Sequence, residues 1–306
     1  MRLLRILVPV AAAVLAFAAA IRQPVLRGIP YSANDRSDPA TLRAHVVALT
    51  SVPHGADHPE GLNASAAYIE RHFRAATNRV ELQEFHARKR DYRNVLARFG
   101  PDAGPLLVVG AHYDAFSSLP GADDNASGTA GLLELARLLG RNPPPRPVVL
   151  VAYTNEEPPF FASEQMGSAV HANSVENVAG MICLEMIGYY TEKQPWPNNT
   201  FALLYPDRGD FIAVGGGWAD RKLTRHVKRA IKGAGGIAVY SFTGPRQTLD
   251  ASDHRNYWSR GWPAVLVTDT AYLRNPNYHT ARDTAGTLDY RKMARVVDGV
   301  FNAVRN

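Results

Sequence analysis

The sequence predicts an α/β fold: a mostly parallel central sheet flanked by helices on both faces, in a single domain. Three observations predict it. Apolar runs at 106–110, 148–153 and 265–268 are continuous rather than alternating, as in strands buried on both faces. Stretches of helical period separate these runs, and such alternation along the chain marks strand–helix–strand units. A length of 306 residues accommodates one large domain of this kind.

The elements follow in order. Arg2 and Arg5 precede an apolar run over 6–21, which ends at Arg22 and Gln23. As a helix this run rises about 24 Å, short of a hydrocarbon core of about 30 Å. It is rich in alanine, and Ala16, Ala18 and Ala20 offer small residues for cleavage. Residues 1–21 therefore read as a secretory signal peptide, with an uncleaved membrane anchor as the alternative. Under either reading the basic end stays inside and the rest of the chain is extracytoplasmic, periplasmic or secreted. Residues 22–37 read as a linker and 38–306 as the folded domain. Asp38-Pro39, followed by Leu42, Val46, Val47 and Leu49, opens the first helix of that domain. A second helix spans 60–76, with Ala67, Ile69 and Phe73 on one face. Strands are expected at 79–85, 94–99, 106–110, 148–153, 181–184, 211–215 and 265–268. Helices are expected at 127–139, 164–172, 218–232 and 288–304. The proline-rich 143–147 segment is a stiff loop. Segment 192–200, with Pro195, Trp196 and Pro197, is a surface loop placed to act as a substrate-side lid.

Composition narrows the function. A hydrophobic share of 46% with 20% charged residues excludes wholesale disorder. The net charge of +6 is spread thinly. The densest basic stretch, 221–232, alternates with Leu223, Val227 and Ile231 as the wet face of a helix, so no nucleic-acid partner is expected. Cys183 is the only cysteine, which excludes an intramolecular disulfide, and its apolar surroundings make it a buried, inert thiol.

The chemistry lies at the strand ends. In open α/β sheets ligands bind beyond the carboxyl ends of the strands. Strand 106–110 leads into His112 and Asp114, strand 148–153 into Glu156 and Glu157, and strand 181–184 into Glu185. Strand 265–268 leads through a loop to His279, and the loop with Asp123 and Asp124 opens a helix at the same edge. Two histidines and three carboxylates can hold two zinc ions if one carboxylate bridges them. Asp114 then reads as the acceptor for the second ring nitrogen of His112. Glu156 and Glu157 diverge on leaving a strand, so one can ligate while the other serves as general base.

The motifs VVGAHYD (108–114), GADDNASG (121–128), TNEE (154–157), LEMIG (184–188) and YHT (278–280) resemble metallopeptidase family twenty-eight, the co-catalytic zinc aminopeptidases and their relatives. The match keeps the order of the motifs and covers roughly 45–304. The resemblance implies a zinc-exopeptidase-like catalytic domain, two zinc ions per chain and peptide substrates cut at the amino-terminal bond. Carried over, it makes Asp123 the bridging carboxylate, with a cis peptide at Asp123–Asp124. His112 and Glu185 complete one zinc site, and Glu157 and His279 the other. Glu156 becomes the general base, Asp114 the partner of His112, and Tyr278 a group that polarises the scissile carbonyl. Glu185 departs from the family's common aspartate, which bears on whether the enzyme is an aminopeptidase or another exopeptidase. Ser252-Asp253-His254 reads as a helix start with Ser252 as the cap, and Arg274 as a structural residue or a partner for a substrate carboxylate. The alternatives are a glutaminyl cyclase-like acyltransferase with one zinc, and a non-catalytic receptor-type module.

Overall fold

A computed structural model of the chain describes residues 2–306, with side chains at Pro9 and from residue 12 onward. The described strands form one sheet. Its order is β1 (Val80–Ala87), β2 (Arg90–Phe99), β4 (Val148–Tyr153), β3 (Leu106–His112), β5 (Val178–Leu184), β8 (Ala264–Thr268), β6 (Phe211–Gly217) and β7 (Ala238–Gly244). The sheet is mixed, which corrects the expectation of a mostly parallel one. Pairs β3/β4, β3/β5, β5/β8 and β6/β7 are parallel, whereas β1/β2, β2/β4 and β6/β8 are antiparallel. A two-residue turn makes the first reversal: Arg88 and Lys89 both adopt positive φ, 44° and 67°, as a tight hairpin requires.

The continuous apolar strands serve two cores at once. On β4, Val148, Leu150 and Ala152 face one core, and Val149, Val151 and Tyr153 the other. The larger core is closed by α2 (Pro39–Leu49), α3 (Pro59–Ala76), α4 (Gly128–Arg141), α7 (Arg221–Ala234) and α9 (Tyr290–Arg305). The smaller is closed by α5 (Gly167–Ser174) and α8 (His254–Ser259). Asp38 caps α2 by accepting from the Ala40 and Thr41 N–H groups, and Asp289 caps α9 through Arg291 and Lys292. Cys183 is fully buried in the smaller core.

Two segments of the sequence reading take more definite form. Residues 192–200 lead into a short helix, α6 (Asn199–Leu204), and Trp196 packs among Phe201, Tyr205, Phe211 and Phe242. The apolar N-terminal run is a helix, α1 (Arg2–Arg22), whose last turn is docked on β7 and α7. Among the described residues no helix is long and apolar enough to cross a membrane. The side chains of Arg2 and Arg5, on which the export reading leans, lie outside the described ones.

Candidate metal centre

Because β3, β4, β5 and β8 run parallel to one another, their carboxyl ends meet at one rim. His112 ends β3, Glu156 and Glu157 follow β4, and Glu185 follows β5. His279 arrives on the loop after β8 with φ +52°, its ring stacked between Phe116 and Tyr278 at centroid distances of 4.2 and 3.8 Å. Opposite these stands the turn 122–127 at the start of α4. Gly121 enters that turn at φ +61°, where an added Cβ would run into the Asp124 carbonyl.

Two triads form there and share one residue: His112, Asp124 and Glu185, and Asp124, Glu157 and His279. His112 Nε2 lies 3.4 Å from Asp124 Oδ1 and 3.2 Å from Glu185 Oε2. His279 Nε2 lies 3.0 Å from Asp124 Oδ2 and 3.2 Å from Glu157 Oε1. Asp124 thus offers one oxygen to each triad. The bridging position expected for Asp123 falls one residue later, and so does the cis peptide, which joins Asp124 to Asn125. The Asp123 carboxylate points elsewhere, accepting from the Gly188 N–H at 2.9 Å and from Asn275 Nδ2 at 2.8 Å. The backbone explains the displacement. Asp124 and Asn125 leave helical dihedrals (φ −107°, ψ 87° and φ −134°, ψ 40°), turning the second aspartate of the pair inward.

Supporting groups fix each member. His112 Nδ1 donates to the Asp114 backbone carbonyl at 3.0 Å, so in the neutral ring Nε2 carries the free lone pair. This corrects the expected carboxylate contact, since Asp114 Oδ1 stands 3.6 Å away. Its two carboxylate oxygens instead accept from the Glu156 and Glu157 N–H groups at 3.1 Å, holding the turn that carries both glutamates. Asp283 does the same opposite, accepting from the Asp123 and Asp124 N–H groups at 2.9 and 3.1 Å. Ser252, expected as a helix cap, donates its hydroxyl to Glu185 Oε2 at 2.7 Å. Asp253 occupies the cap position of α8 without making a cap bond. Arg274 is buried, donating to Gln194 and to the Phe211 carbonyl, which is the structural one of its two readings. Asp124, Asp283 and Ser252 carried no sequence signal of these roles beyond proximity to the motifs.

The electrostatics are those of a site built for cations. Burial pushes Glu156 well above the usual carboxylate range, with Glu185 and Glu157 adding to it. Burial and then Asp124 raise Glu157 to about 8. Against burial, hydrogen bonds and charge from His112 and His279 hold Asp124 low, and Asp124 and Glu157 raise His279 to about 9. His112 Nε2 is buried with no hydrogen-bond partner among the described residues. An unpartnered imidazole nitrogen aimed at two carboxylates is an acceptor set that a divalent cation completes, and the imidazole and carboxylate donors suit zinc.

Comparisons with known proteins bear on the family and the fold. The profile of Peptidase family M28 matches residues 94–304. An Escherichia coli protein called Uncharacterized protein YfbL is 47% identical over 300 residues, covering 93% of both chains. Leucine aminopeptidase 1 of Ajellomyces capsulatus is 26% identical over 65% of this chain and 52% of its own, so the chain spans about half the length of that fungal relative. Among solved structures, an aminopeptidase from Aneurinibacillus superposes with a TM-score of 0.70 at 17% identity, over 88% of this chain and 93% of its own. A glutaminyl cyclase of Bacteroides thetaiotaomicron gives 0.66 at 18% identity, over 89% and 99%. These distant likenesses share the fold.

Proposed function

From the premise that this chain belongs to peptidase family M28, we propose that it is a zinc exopeptidase releasing amino-terminal residues from peptides. One zinc ion would be held by His112, Asp124 and Glu185, and a second by Asp124, Glu157 and His279. The observation that carries this reading is the Asp124 carboxylate, with one oxygen toward each imidazole. Bound there, zinc supplies Lewis acidity toward the scissile carbonyl and makes a water nucleophilic near neutral pH.

The protein's own groups do the rest. Glu156 Oε2 stands 3.9 Å from His112 Nε2, beside the cation position but outside both triads. A carboxylate so placed takes the proton of the attacking water and returns it to the departing amine. Burial keeps the Tyr278 phenol protonated, so its hydroxyl serves as a donor to the carbonyl oxygen of the substrate. Burial of the glutamates excludes competing water and strengthens each of these interactions. The basic end of the N-terminal run supports placing the domain outside the cytoplasm.

The test is Glu156→Gln. It should lower kcat for amino-terminal cleavage by about 10²–10⁴-fold while zinc content stays that of the wild type. Near-full activity in this variant refutes the assigned base. Peptides beginning with glutamine, read by mass spectrometry, separate hydrolysis from cyclisation. Loss of ammonia without release of a residue would support the cyclase reading instead.

A further inference from the structure

Beside the metal centre an apolar chamber of about 440 Å³ opens between Glu185 and Tyr278. It runs across one face of β8, β6 and β7, past Trp196 and Phe242. Its floor on β6 is low because the residues there are Ala213 and Gly215. At the β7 edge the lining includes Phe17 and Ile21 of α1. From β5, which delivers Glu185, to β7 is three strand spacings, about 14 Å. The volume holds on the order of fifteen water-sized groups, far more than a leucine side chain fills. The lining is overwhelmingly apolar, so a peptide backbone laid along it would leave its amides unsatisfied, whereas a hydrocarbon would not.

The last turn of α1, just beyond Phe17, is anchored to the domain. The buried Lys228 ammonium donates to the Arg22 and Gln23 carbonyls at 2.6 and 3.1 Å, satisfying the helix end. Ser241 Oγ donates to the same Arg22 carbonyl at 2.6 Å, and the Arg22 guanidinium lies over the Tyr205 and Tyr240 rings. Lys232 Nζ donates to the Val25 carbonyl at 2.9 Å just beyond.

We propose that α1 is a specificity element of the enzyme. Phe17, itself 57% exposed, and Ile21 border the chamber at its β7 side, and the chamber receives a linear hydrocarbon group longer than leucine, attached next to the amide that is cut. The choice of substrate rests on the peptidase reading; the role of α1 as a wall does not.

The test uses the full chain and a series of straight-chain alcohols from ethanol to decanol, with binding read by the fluorescence of Trp196 and Trp218, which line the chamber. Affinity should rise about fourfold per added methylene until the chamber is filled, then level off. Phe17→Trp should move the break to a shorter alcohol and Phe17→Ala to a longer one. Leu26→Trp, exposed and outside the lining, should leave it in place. A break unmoved by both Phe17 variants, or a mature chain lacking Phe17, overturns the proposal. In parallel, kcat/KM is measured on dipeptides with straight-chain amino-terminal residues of increasing length. Phe17→Trp should cut the longest substrates at least tenfold and leave alanine unchanged, and equal loss on all lengths overturns the substrate class. If the wild type cleaves none of them, the peptidase reading fails and the substrate class with it, while the alcohol series still judges the wall.

Discussion

The carboxylate of Asp124 stands between two imidazoles, while that of Asp123 ties down the Gly188 N–H beyond β5 and the side chain of Asn275, which lies on the loop carrying His279. Asp124→Asn places an amide donor toward a cation and should abolish zinc binding at both positions. Asp123→Asn puts an amide donor against the donors of Gly188 and Asn275 and frees the His279 loop. It should keep the ion at His112 and weaken the other by about 10–100-fold. Zinc content by elemental analysis and chelator competition distinguish the two variants; equal loss in both would contradict this assignment. The strand ends made His112, Glu157, Glu185 and His279 legible as one rim, because an apolar run names the residue that leaves it. The aspartate pair was not legible in this way. It lies in a turn without period, and which neighbour faces inward is fixed by the dihedrals at Asp124 and Asn125. Asp114 was found by its spacing from His112, but the atoms it uses are its backbone carbonyl toward the ring and its carboxylate toward the glutamate N–H groups.

Elements are joined by a buried polar chain on the face opposite α4. The Tyr153 hydroxyl of β4 meets that of Tyr257 in α8 at 2.7 Å, and Tyr257 meets His171 Nδ1 of α5 at 2.6 Å. Tyr257→Phe leaves both neighbours unsatisfied in a closed core and should destabilise the fold by about 1–3 kcal/mol, read as a lower urea midpoint with unchanged slope. The Tyr153 ring also needs Gly110 beneath it, since a Cβ there would enter the ring. The central strands and the helices over the larger core were legible from apolar runs and helical period. Strand direction was not, because a run buried on both faces reads the same either way, and β6 and β8 meet antiparallel. The edge strand β7 escaped notice because its short apolar run, 237–240, gives way to Ser241 and Thr243 and its residues are mostly half-exposed.

For the whole molecule, buried histidines make the fold sensitive to acid. Burial lowers His45 to about 4 and His171 to about 3, against about 6.5 in an unfolded chain. Between those values the unfolded state takes up protons that the folded state refuses. The stability these residues allow is therefore complete above pH 6.5 and lost as pH falls toward 4. Urea unfolding across this range should show that decline, and His45→Gln should flatten it; an unchanged slope would show that His45 does not contribute.

The rim has a thermal consequence. Asp124, Glu156, Glu157 and Glu185 crowd four buried acids against two imidazoles, so the emptied rim repels itself and a bound cation acts as a rivet. At a zinc concentration of about a hundred times Kd, binding adds about 2.7 kcal/mol to unfolding, and a chelator should lower the melting temperature by roughly 4 °C. The Asp124→Asn protein should melt at one temperature with or without chelator. Scarcity of zinc would then govern how long each copy of the chain survives, and not only how fast it turns over.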